Sequence, residues 1–366
     1  MQREWIVKHC IRLFLVVLTA FPAFSTAYCD SCTTQAQMTA AQREDYAQAA
    51  HLVAADIQNG DLQRLRDDTL PAAASDFSGI EQTAEALRPQ IEQAGITVDN
   101  LYSFEALAAS GDNHGAQFFC SLPGSPMTVV LTLSNLPPGA YVLAILHATG
   151  VPKPQQISLL LAETPGKQWK LAGIFSRPLM MAGQNGVWYW IRARNYAQRG
   201  MDWAAWFYYR IAGFLVQPAS FLSSPNVDRL RQETERVHPQ NLPGDRPITL
   251  SANGYRFDVT RVDTTAELGP LDLAVHYSPD ATEAVELRNP AAARRQVMNL
   301  MAGILALHPE LREAFNGMWV YADEGTTTAF ALELPMNEIP GGAQASESKS
   351  NSAALQELRR TVRAGS

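Results

Sequence analysis

Short catalytic signatures are missing from this chain. It contains no HExxH, GxSxG, Walker-type loop or GxGxxG sequence, which removes the usual markers of zinc hydrolysis, a nucleophile elbow, phosphate cradling and dinucleotide binding. Ala162-Glu-Thr-Pro-Gly-Lys167 has a Gly-Lys pair but lacks the upstream glycine of a phosphate loop. Histidine donors are also scattered. Past residue 27 they are His51, His114, His147, His238, His276 and His308, and no two stand at ligand spacing. No metal and no cofactor is expected. Positive charge is short, with 29 Lys and Arg against 36 Asp and Glu, a balance that disfavours nucleic acid as a partner. No apolar run reaches the ~20 residues that cross a bilayer.

What is present begins with an address. Arg3, Lys8 and Arg12 precede the apolar run Leu13–Leu18, and Ser25-Thr26-Ala27 offers a small-residue cleavage site before Tyr28. Residues 1–27 read as a Sec-type signal peptide, and the mature chain is expected in the periplasm or outside the cell. Cleavage removes three basic residues and one acid, Glu4, leaving 26 basic against 35 acidic side chains. Export makes the remaining cysteines, Cys29, Cys32 and Cys120, candidates for oxidation. Cys29-Asp-Ser-Cys32 has redox-motif spacing, but no βαβ pattern follows it. A bridge from this terminus to Cys120 is the alternative, leaving one thiol over.

The mature chain divides into four parts. Residues 35–177 open with helical patterns: one from Thr39, with the capping box Thr39-Ala-Ala-Gln42, one over 61–67, and one from the capping box Ser78-Gly-Ile-Glu81. The period then changes to two, and strands are predicted over 97–107, 116–121, 127–134, 140–148, 157–162 and 168–175. Helices followed by hairpin-linked strands give an α+β domain with an antiparallel sheet.

Residues 183–238 hold a helical hairpin and a polar helix. The hairpin carries four of the chain's seven tryptophans and four of its eleven tyrosines. Asn185 and Asp202 are placed as N-caps, and the second helix is apolar on every side, so it is expected to be covered on every side. Residues 248–336 read as ββαββ, a helix layered on an antiparallel sheet, with Asn289-Pro290 opening the helix. Residues 337–366 form a low-complexity tail with a basic helical end.

Two resemblances follow. The helix-then-sheet order of 35–177, with the late strand Gly166-Lys167-Gln168-Trp169-Lys170-Leu171, resembles the NTF2-like/cystatin-like cone fold, which implies a curved antiparallel sheet with a pocket inside it. The small and aromatic sites Tyr189, Ala193, Tyr196, Ala205, Tyr209 and Ala212 resemble a single tetratricopeptide repeat, with Arg192 standing where that family has Leu. No second copy occurs, which argues for a structural hairpin rather than a binding array.

The functional expectations rest on these parts. The leading reading is an exported, non-enzymatic protein that contacts a protein or an envelope surface through the hairpin and its domain junction. Arg192, Arg194, Tyr196 and Arg210 are its binding candidates, although pairing with neighbouring carboxylates is the blander role for the arginines. The rival reading is a small-molecule binder, hydrolase or isomerase. Its acid–base candidate is His147, which shares a strand face with Tyr141, Leu143 and Ile145; only the fold analogy offers Asp76 and Asp99 as partners.

Overall fold

The computed structural model describes residues 32–106, 116–134, 136–244 and 246–341, with the backbone of 345–347. The leader, Cys29, His114 and the basic helical end lie outside the described residues. The class is α+β.

The chain enters as β1 (Cys32–Thr34) and a 3-10 turn (Gln35–Gln37). Helix α1 (Ala40–Asn59) is opened by Thr39, which accepts from the Gln42 amide in a complete capping box, and is closed by Gly60 at φ 68°. That left-handed cap is where glycine is needed. Helices α2 (Leu62–Asp67) and α3 (Pro71–Ala74) lead to α4 (Ser78–Ile91). The capping box expected at Ser78 does not form: Ser78 is already helical, and its hydroxyl donates to Asp76 Oδ1 at 2.9 Å.

Six strands follow close to the predicted positions: β2 (Gly95–Ala106), β3 (Ala116–Ser121), β4 (Thr128–Leu133), β5 (Gly139–Thr149), β6 (Gln155–Glu163) and β7 (Trp169–Pro178). They do not make one curved sheet. β1, β2, β5, β6 and β7 form an antiparallel sheet, while β3 and β4 leave it to form a second sheet with β10 (Leu222–Ser223). The result is three layers. Val142, Ala144 and Leu146 pack towards Ala50, Val53, Leu87 and Ile91 of the helices. Tyr141, Leu143 and Ile145 pack instead against Phe118, Leu131 and Leu222. Each fully buried leucine among these contributes about 2 kcal/mol of transfer free energy. Both faces of β5 are thus occupied by apolar side chains, and the cone-like interior implied by the fold resemblance is filled on the helix side.

A two-strand turn, β8 (Met180–Met181) and β9 (Gln184–Asn185), leads into the hairpin α5 (Gly186–Gln198) and α6 (Asp202–Val216). Asn185 caps α5 by accepting from the Trp188 amide. Asp202 is the first helical residue of α6 rather than its cap; Met201 stands at the cap after Gly200 turns the chain at φ 71°. As its composition predicts, α6 is covered on nearly all sides. The segment after it becomes β10, so Thr132 N donates to Phe221 O and the hairpin is stitched to the N-terminal layers. Ser224 then caps α7 (Pro225–Arg236).

The C-terminal part contains β11 (Ile248–Ala252), β12 (Tyr255–Thr265), β13 (Asp272–Ser278), α8 (Ala281–Glu286), α9 (Pro290–Leu307), α10 (Leu311–Ala314), β14 (Gly317–Glu324), β15 (Thr327–Pro335) and β16 (Ala345–Glu347). This corrects the ββαββ reading in three ways. β11 is an extra strand, β16 from the expected tail pairs with it, and β13 pairs with β14 in parallel. The parallel pair follows from the crossover through α8–α10. The hairpin and this sheet also share one apolar core, in which Tyr189, Tyr208 and Leu215 join Phe257, Leu300 and Val320. No helix of the described residues is long and apolar enough to cross a membrane.

Candidate functional site

Three places gather chemistry-bearing side chains. The first is the hairpin. Arg194 donates from Nε and Nη2 to the two oxygens of Glu233 on α7, both at 2.8 Å, and Trp190 Nε1 and Arg229 Nε donate to the same carboxylate at 2.7 and 3.0 Å. Burial alone raises the Glu233 carboxyl, but the hydrogen bonds from Arg194, Trp190 and Arg229 outweigh it and hold the group at about 2. Arg192 reaches Glu313 of α10 at 3.8 Å, and Arg199 clamps Glu313 with bonds of 2.6 and 2.5 Å. Tyr196 is buried, with Arg192 over its ring at 5.1 Å and Tyr208 edge-on at 5.0 Å. Arg210 lies over Trp206 at 4.7 Å. The four binding candidates therefore come together only in part. Arg192 and Arg194 tie the hairpin to α10 and α7, Tyr196 is core, and Arg210 stacks on the far helix.

The hairpin surface that does face outward is different. Val187, Trp188 and Ile191 occupy one side of α5 with exposures of 57, 39 and 63%. Their spacing of i, i+1 and i+4 makes one continuous apolar face. The sequence shows these residues as part of an aromatic hairpin, but the pattern does not say which of its sides stays open.

The second place is His147. The structure brings it beside Asp99, with Nδ1 3.8 Å from Oδ1, while Nε2 donates to Gln156 Oε1 at 3.3 Å. Asp99 is the extra residue of a β-bulge: Val98 pairs with Leu146 and Asn100 with Ile145. Bulges re-aim side chains in this way. The 3.8 Å gap is too long for a hydrogen bond, so the pair lacks the contact an activated base requires. Asp76 is not part of it and sits at the start of α4. Asp99 also fronts a recess of about 400 Å3 lined by Thr34, Gln35, Arg43, Asn100, Tyr102 and Leu122.

The third place escaped the sequence. On the C-terminal sheet, His276 Nδ1 donates to Asp323 Oδ2 at 2.6 Å, and Arg261 Nη2 donates to His276 Nε2 at 2.7 Å. Thr328 donates to the second Asp323 oxygen at 2.7 Å, and Tyr321 stacks on the imidazole at 4.5 Å. Two bulges create the convergence. Thr260 is the extra residue on β12 that sets Arg261 opposite His276, and Ala329 is the extra residue on β15 that sets Thr328 opposite Asp323. Both ring nitrogens are engaged, so this assignment of protons leaves the imidazole no free lone pair to act as a base. The rings of Trp319, Tyr321 and His276 stand parallel to one another. Among the described residues no group of three or more His, Cys, Asp or Glu side chains could hold a metal ion.

The pairing left open among the cysteines is also decided here: Cys32 is bonded to Cys120, with Cα atoms 4.8 Å apart.

No family model, curated protein or solved structure matches this chain.

Proposed function

We propose that the chain is an exported interaction protein whose contact surface is the outer side of α5. One observation carries this reading: Val187, Trp188 and Ile191 expose a continuous apolar face on a helix that buries Gly186, Tyr189, Ala193 and Tyr196 on its opposite side. Contiguous apolar surface of this kind marks interaction sites far more often than scattered exposed residues do. The signal-like leader, the Cys32–Cys120 bond and the resemblance of the hairpin to one tetratricopeptide unit support the same reading. A helix face of this type recognises apolar side chains presented by another protein. The arginines supply rigidity instead, since Arg192, Arg194 and Arg199 fix the hairpin against α10 and α7.

The test uses site-specific photo-crosslinking in the native envelope. A benzophenone side chain at position 191 is expected to give a discrete protein adduct, and one at the exposed Glu85 of α4 is expected to give none. Val187→Ser, at the more exposed neighbouring position, should weaken the adduct at 191 while leaving the melting temperature nearly unchanged. Labelling at 191 no stronger than at 85 overturns the reading.

A further inference from the structure

The recess beside Asp99 is built from two walls that the disulfide ties together. Cys32 lies two residues before Thr34 on one wall, and Cys120 two residues before Leu122 on the other. Between them the recess presents opposite charges that do not cancel. Arg43 Nη1 donates to the carbonyls of Met38 at 2.6 Å and Gln35 at 3.5 Å, and among the described residues no carboxylate pairs with it. Asp99, aimed by its bulge, accepts from Asn100 Nδ2 at 2.5 Å, stands 3.8 Å from His147 Nδ1 and has no lysine or arginine partner among the described residues. Gln35 Oε1 is buried and accepts no hydrogen bond among the described residues. Tyr102, buried on the same wall, adds a hydroxyl beside the carboxylate; burial, with Asp99 second, raises its pKa and keeps it a neutral donor.

An anion alone would meet Asp99, and a cation alone would meet Arg43. Only a ligand carrying both charges satisfies both walls, and about 400 Å3 is at the small end of ligand sites. We propose that this recess binds a small zwitterion of the free α-amino-acid class, its carboxylate on Arg43 and its ammonium on Asp99. The site is independent of the α5 surface.

The experiment is isothermal titration of the oxidised mature chain, residues 28–366, with glycine, L-leucine, L-glutamate and L-lysine. For whichever binds best, its amide, lacking the carboxylate, and its N-acetyl form, lacking the ammonium, are titrated too. Each derivative is expected to bind about tenfold or more weakly, the worth of one charged hydrogen bond. Asp99→Asn should weaken the parent amino acid by a similar factor while leaving the N-acetyl form unaffected, and Arg43→Gln should do the converse with the amide. Arg43 also holds the Met38 carbonyl, so Asp99→Asn, at an exposed carboxylate, is the decisive variant. No heat from any amino acid at about 10 mM, or equal binding of parent and derivatives, overturns the proposal.

Discussion

Gly186 at the start of α5 lies directly against Val216 at the end of α6. A Cβ placed on Gly186 would stand 2.5 Å from Val216 Cγ1 and 3.2 Å from the Ala212 carbonyl. The two helices can cross this closely only because the first helical residue has no side chain. Gly186→Ala is therefore expected to destabilise the protein by about 1–3 kcal/mol, the usual cost of overpacking. Gly213, in the last turn of α6, meets nothing nearer than Leu230 Cδ2 at 3.9 Å. Its replacement by Ala should stabilise by about 0.5–1 kcal/mol through helix propensity. Urea titrations of both variants check the contrast, and equal effects would show that the close approach is not the constraint.

Glu233 makes stability depend on acid. Its folded-state pKa, about 2, lies below the ordinary 4.5, so the unfolded chain binds the proton more readily. The contribution is complete above pH 4.5 and is lost as pH falls from there through about 2. At full strength it amounts to roughly 3 kcal/mol. Glu233→Gln should remove it at pH 7 and flatten the acid limb of the stability curve. Arg194→Lys should recover only part, because an ammonium cannot reproduce the bidentate contact. Thermal melts from pH 7 to pH 2 would show this; parallel curves for wild type and Glu233→Gln would refute it.

Much of the architecture was legible because local rules suffice for it. The Thr39–Gln42 box, the Asn185 and Asn289 caps and the six N-terminal strands all depend on neighbours a few residues away. What escaped depends on distant partners. β3 and β4 leave the main sheet for β10, about ninety residues downstream, and alternation cannot say which strands share a sheet. The parallel pairing of β13 with β14 is decided by the packing of α9 across them. The bulges at Asp99, Thr260 and Ala329 shift alternation by one residue, which is invisible in side-chain types. His147 stands out in the sequence only by its apolar strand face, and nothing in the pattern around His276 marks it.

The Cys32–Cys120 bond closes a loop with a sequence separation of 88. A loop of that size is worth on the order of 4 kcal/mol in chain entropy, with 2–4 kcal/mol the common measured range. Reduction, or Cys120→Ser, should lower stability by that amount and free β1 from the edge of β2, where Cys32 pairs with Phe104. Hydrogen exchange at Thr33 and Thr34 should accelerate more than exchange in the core of β5. Uniform acceleration across the domain would mean that the bond stabilises globally without pinning this edge.

The two histidines differ in how tightly they are coupled to their acids, and that difference can be measured. His276 meets Asp323 at 2.6 Å and is locked by Arg261 and Tyr321, whereas His147 stands 3.8 Å from a half-exposed Asp99. A double-mutant cycle on His276→Phe and Asp323→Asn is expected to give a coupling energy of about 1–3 kcal/mol, because the geometry is that of a short charge-assisted hydrogen bond. The same cycle on His147→Phe and Asp99→Asn should give less than about 1 kcal/mol, as for an exposed ion pair. Phenylalanine preserves ring stacking in the first case, so the loss reports the hydrogen bonds rather than the packing. If the His147 pair proves the more strongly coupled, the shorter contact and the closed Arg261–His276–Asp323 network do not give the tighter coupling, and the prediction fails.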